Sequence, residues 1–245
     1  MDMQKDVVSH LTELRKRLIV VAVWFLGAFG IGVYLSPQLL VFIKNHVGRI
    51  QVEWSVFSLS DGLVVYMKCA LLFGTALTLP CLLYQLWAFA RPGLTRQEAR
   101  TTLLFVPASL LLFASGVTFG YTVALPMMIS FMVKLNHAIG AHEVYGLQHY
   151  VSFLIGFLYP MGLAFEMPLA ALFLTFVGVL TPGRVKQVRK YAYVGLAVVG
   201  SCISPPDFIS HLSVTVPLIA LFEISVFVSW RYSLRRAAKP RLSPT

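Results

Sequence analysis

Long apolar runs poor in charge, most of them close to twenty residues, recur along the chain, and a helical run of that length matches the hydrocarbon thickness of a bilayer. The first, 18–35, holds no charged residue and stops at Ser36-Pro37. Three more follow at 64–86, 102–123 and 150–177, with Lys68 near the outer end of the second and Glu166 inside the fourth. Two shorter runs, 191–203 and 212–230, flank Ser204-Pro205-Pro206-Asp207. Paired prolines remove backbone donors and bias the preceding residue away from helix, so that tetrapeptide predicts a turn. The pattern predicts an all-α membrane protein with six transmembrane helices, the fifth and sixth short, in one membrane domain covering 1–245. Between the first two spans, 36–63 is semi-apolar and predicts short amphipathic helices on the outer face.

Composition agrees with this reading. Of 245 residues, 58% are hydrophobic and only 12% charged, and mean hydropathy is +0.77. A soluble domain is about a quarter charged, so this chain lacks the polar surface to cover a water-exposed globule. The net charge of +10 bears on orientation. Lys and Arg collect on cytoplasmic loops. With both termini inside, sixteen of the twenty basic residues fall on the inner side, leaving Lys44, Arg49, Lys68 and Lys134 outside. In a membrane protein this excess speaks of topology and implies no nucleic-acid partner. Cys69, Cys81 and Cys202 all lie in apolar segments, as packing residues do. No nucleotide loop, metal-ligand cluster or nucleophile motif supports an enzyme or a cofactor.

A few polar residues stand out. In His10-Leu11-Thr12-Glu13-Leu14-Arg15-Lys16-Arg17-Leu18 the leucines share one helical face, and His10, Glu13 and Arg17 share another. A local Glu13–Arg17 pair is the simplest reading of that spacing. Pro92-Gly93 marks a turn, preceded by Tyr84, Trp87 and Phe89 where an aromatic belt is expected. Glu98 is a rare acid on a basic inner surface, with Arg96 and Arg100 as its nearest cations. Glu166, before Pro168, and Glu223 lie within apolar runs, where an ionisable group is costly and faces a cavity, a partner or water. Pro160, Pro168 and Pro217 bend helices and free carbonyls, a recipe for a concave, wet wall. A small proton- or cation-coupled secondary transporter, using Glu166 and Glu223, accounts for these acids alone.

Taken together, these segments resemble the TatC family, the multi-spanning core of the twin-arginine protein translocase. The resemblance rests on His10-Leu11-x-Glu13-Leu14-Arg15-x-Arg17-Leu18 and on Pro80 followed by Tyr84-Gln85-x-Trp87-x-Phe89-x-x-Pro92-Gly93-Leu94-x-x-x-Glu98. Phe165-Glu166-x-Pro168, Ser204-Pro205-Pro206-Asp207 and Leu221-Phe222-Glu223 extend it to nearly the whole chain. It implies a glove-shaped bundle in the plasma membrane, driven by the proton-motive force, that binds twin-arginine signal peptides of folded precursors. Guanidinium forks pair best with carboxylates, so Glu98 and Glu13, with Arg17, Phe89 and Leu94 beside them, are the expected peptide site. Glu166 and Glu223 become intramembrane polar groups. Ser204, Asp207 and His211 become docking points for single-span partners of the TatA and TatB type, although Asp207 equally suits a helix N-cap. Self-association in a receptor complex is also implied. The family often has threonine where Ser204 stands and glutamine where His211 stands.

Overall fold

Helix begins almost at the first residue. The computed structural model describes residues 2–46, 55–93, 96–138, 140, 146–176, 178, 182–204 and 208–237. Helix α1 (Asp2–His46) is followed by α2 (Asp61–Ala90), a 3-10 turn (Arg91–Gly93), α3 (Arg96–Leu103) and α4 (Phe105–Phe119). A π-helical turn (Gly120–Ala124) joins α4 to α5 (Leu125–Ala138), and α6 (Leu147–Ala164), α7 (Met167–Phe176), α8 (Pro182–Ile203) and α9 (Phe208–Ala237) complete the chain. Among the described residues there is no sheet, only one isolated parallel bridge between Ser55 and Gly146. Five helical stretches are long and apolar enough to cross a membrane: Thr12–Ile43, Asp61–Ala90, Ala99–Ala138, Leu147–Phe176 and His211–Arg231. In α8 the four cations Arg184, Lys186, Arg189 and Lys190 take up the first half, leaving only the apolar stretch 191–203.

Helix α1 does not stop at Ser36-Pro37 but runs on to His46; of the segment expected to form short amphipathic helices, residues 47–54 lie outside the described residues. Pro37 removes one helical donor and leaves the Val33 carbonyl without its usual partner. The neighbouring Ser36 is fully buried, and its hydroxyl lies 2.7 Å from Gly32 O and 3.2 Å from Tyr66 O of α2. Packing against α2 thus carries the helix past its proline. The third span also runs past its predicted end at residue 123, because α4, the π-turn and α5 follow one another without a break to Ala138.

Helices α1 and α2 are antiparallel with a fixed register. Gly32 lies so near α2 that a Cβ there would stand 2.7 Å from Ala70 O, and one at Gly74 would stand 3.2 Å from Phe29 Cα. Trp24 Nε1 donates to Leu77 O at 3.2 Å. At the N-terminal end of α2, buried Asp61 accepts from the N–H groups of Phe57 (2.9 Å) and Ser58 (3.1 Å), so its carboxyl group caps the turn that opens α2.

The core lies around α6, whose Val151, Leu154, Ile155, Leu158 and Met161 pack with Val65 and Cys69 of α2, Met128 of α5, and Val214 and Leu218 of α9. Between α6 and α7 the helix breaks at Phe165-Glu166. Pro168 cannot donate to Ala164 O, so the ladder has a gap where the sequence places a carboxylate. The Phe165 ring fills the space over Gly116, where a Cβ would come within 2.8 Å of it, and packs on Phe119 with centroids 5.6 Å apart.

Candidate functional site

The C-terminal end of α2 is joined to distant segments by several polar contacts. Arg17, one turn after Glu13 on α1, donates from Nε (3.1 Å) and Nη2 (2.6 Å) to Glu13 Oε1. The same guanidinium reaches α2, through Nη1 to Gln85 Oε1 and through Nη2 to Ala88 O, both at 3.2 Å. The Ala88 carbonyl is open because its helical donor would be residue 92, which is Pro92. It also sits in the last turn of α2, where orphan carbonyls concentrate partial negative charge. Carboxylate, amide oxygen and backbone carbonyl therefore converge on one guanidinium. The Arg17 side chain is 23% exposed and that of Glu13 40%.

Beside this cluster, Trp87 Nε1 donates to Ala99 O at 2.8 Å, holding α3 against the end of α2. Arg91 lies over the Trp87 ring at 5.4 Å, and Tyr84 packs on it at 5.7 Å. The bond to Ala99 fixes the backbone next to Glu98. The side chain of Glu98, together with Leu94 and Asp207, lies outside the described residues; Phe89 is half-buried on α2. Glu13 and Arg17 thus come together with Gln85, and α3 is held at the same end of α2. Sequence reasoning missed Gln85 and Ala88 O as Arg17 partners. The lack of a donor at Pro92 was the available clue, but nothing local showed which side chain would use the freed carbonyl.

Two further carboxylates lie on long apolar helical stretches. Glu166 Oε1 is buried without a hydrogen-bond partner among the described residues. Glu223 of α9 is engaged: Arg189 Nη2 of α8 donates to Oε2 at 2.9 Å, and the Tyr193 hydroxyl donates to Oε1. With side-chain exposures of 42% for Arg189 and 38% for Glu223, this is a half-exposed tie between the last two helices. Toward the turn joining them, Ser204 is buried and donates to Gly200 O at 2.9 Å. His211 lies between two hydroxyls, with Nδ1 3.3 Å from Ser201 Oγ and Nε2 3.4 Å from Thr215 Oγ1. Ser201 donates to Ala197 O at 3.0 Å, so toward His211 it acts as acceptor. Ser204 and His211 therefore flank the α8–α9 turn, Ser204 turned inward to its own helix. Among the described residues, no three His, Cys, Asp or Glu side chains form a metal-binding group.

Fold and site define a multi-pass helical membrane protein with a guanidinium-binding corner at one end of α2 and a buried, unpartnered Glu166 Oε1 within a long apolar helical stretch. Residues 9–217 match the family model TatC, described as Sec-independent protein translocase protein. The chain belongs to the TatC family. It is 39% identical over 236 residues to the Sec-independent protein translocase protein TatCy of Bacillus subtilis, covering 96% of this chain and 92% of that one. It is 33% identical over 223 residues to TatC of Aquifex aeolicus, with coverage of 90% and 92%. A crystal structure titled twin arginine translocase receptor TatC superposes with a TM-score of 0.78 at 32% identity, over 91% of this chain and 99% of that one. Family membership favours a multi-pass translocase protein of the plasma membrane over the secondary transporter.

Proposed function

We propose that this protein is the signal-peptide receptor and assembly platform of a twin-arginine translocase, exporting folded proteins across the plasma membrane with the proton-motive force. The observation that carries this reading is the set of acceptors at the inner end of α2, which binds a guanidinium beside the helix that bears Glu98. Glu98 and Glu13 receive the arginine pair, because a fork of N–H donors bonds a carboxylate in two places and an ammonium does not. Phe89 and Leu94 pack beside the apolar part of the peptide. In this reading the chain makes six crossings with both termini cytoplasmic, the charge-poor end of α8 supplying the fifth. Short spans draw the bilayer inward, which suits a thinned, hydrated concave face lined by Glu166.

Single-span partners of the TatA and TatB type dock at the α8–α9 end through Ser204, Asp207 and His211, and the receptor complex contains more than one copy of this chain. Glu223, tied to Arg189, holds α8 in place for that docking. The test is photo-crosslinking of a twin-arginine signal peptide to membranes carrying the protein. The expected result is a crosslink to the 91–98 segment, lost with a twin-lysine peptide and with Glu13→Ala plus Glu98→Ala. Equal crosslinking of all samples would remove the carboxylate mechanism.

A further inference from the structure

A guanidinium is already bound where the peptide's guanidinium is expected, and it belongs to the chain itself. An i,i+4 pair between Glu13 and Arg17 would suffice to steady α1. Yet the same group spans to Gln85 and to the Ala88 carbonyl, 68 and 71 residues away. The carbonyl is left open by the missing donor at Pro92, within the Pro-Gly turn. All three acceptors lie within reach of one guanidinium fork, and Arg17 keeps only 23% of its side-chain surface exposed while bonding them.

We propose that this acceptor set is a binding site for one signal-peptide arginine and that Arg17 is its resident competitor, displaced when the peptide binds. This rests on the receptor reading above and names the group that regulates that site. Exchange of one guanidinium for another keeps every hydrogen bond and the local charge, so the empty site never has to leave Glu13 and the Ala88 carbonyl unpaired. A lysine offers three donors from a single point and cannot match the spread of the carboxylate, amide and carbonyl oxygens. It therefore displaces Arg17 poorly, and competition sharpens the discrimination that direct pairing begins.

The test is equilibrium binding of a fluorescent twin-arginine peptide, by anisotropy, to the full-length protein in lipid nanodiscs. Arg17→Gln removes the competitor and is expected to tighten binding about tenfold, the worth of a charge-assisted hydrogen bond. Arg17→Lys, which keeps the cation but not the fork, should fall between Arg17→Gln and the parent. Pro92→Ala restores a donor to the Ala88 carbonyl and should weaken binding. Unchanged or weaker binding by both Arg17 variants, with thermal unfolding as in the parent, overturns the competitor role while leaving the receptor intact. A parent protein that fails to prefer the twin-arginine over the twin-lysine peptide overturns the receptor reading and the competitor together. If Arg17→Gln does not fold, the Arg17→Lys comparison decides alone.

Discussion

Glu166 is an ionisable residue set in an apolar run. Its Oε1 is buried without a partner among the described residues, at the gap that Pro168 opens in the fourth span. An unsatisfied buried acceptor costs about 1–3 kcal/mol, and stability alone would favour an apolar side chain there. Glu166→Leu is therefore expected to raise thermal stability in detergent, by about 1 kcal/mol, while reducing export of a folded reporter. A variant that lost both stability and export would show the carboxylate to be a structural group. Glu166→Gln separates charge from shape: full export by this variant at every pH would remove a proton role. Among the other site residues, the Glu13–Arg17 pair was legible from spacing, because a helix brings positions four apart together whatever surrounds it. Gln85 and Ala88 were not, since nothing local reports a contact across 68 or 71 residues. The same holds for Arg189 with Glu223, 34 residues apart.

At the scale of the helix, close approach replaces the hydrophobic force that lipid cannot supply. Gly32 and Gly27 lie on the same helix and separate two effects. Replacing glycine by alanine in a helix gains up to about 1 kcal/mol from backbone entropy. At Gly27 nothing lies within 4 Å of the added Cβ, so Gly27→Ala should stabilise by about 0.5–1 kcal/mol. At Gly32 the added carbon would meet Ala70 O at 2.7 Å and Ala70 Cα at 2.9 Å, and backbone cannot swing aside as a side chain can. Overpacking costs about 1–3 kcal/mol, so Gly32→Ala should be destabilising on balance, and thermal unfolding of the two variants side by side would check the opposite signs. Five long apolar helices were legible because apolar runs report bilayer-length helices directly. Helix ends were not. The run of α1 through Pro37 depends on the buried Ser36 hydroxyl and on α2 behind it, which are tertiary facts. Likewise the helical run that ends at Ala138 goes beyond the predicted end at residue 123.

For the whole molecule, the number of crossings decides which faces meet. Six crossings put Thr12 and Ser243 on the same side of the membrane, and five would put them on opposite sides. In a variant whose native cysteines are replaced, a membrane-impermeant thiol reagent added to intact cells should label Ser58→Cys. It should label Thr12→Cys and Ser243→Cys only after the membrane is opened. Labelling of Ser243→Cys in intact cells would mean that α8 does not cross.

The fixed register of α1 on α2 has a mechanical side. Arg17 meets Gln85 at one end, Trp24 meets Leu77 O and Gly32 meets Ala70 along the middle, and Ser36 meets Tyr66 O near the other. Those end contacts lie about 28 Å apart at 1.5 Å per residue, nearly the depth of the hydrocarbon. Two rods pinned at so many points cannot slide past each other, and they answer a push as a single lever. On the competitor reading, displacement of Arg17 frees the pin at that end alone, and the contacts of Trp24, Gly32 and Ser36 still hold the register as far as the Asp61-capped turn.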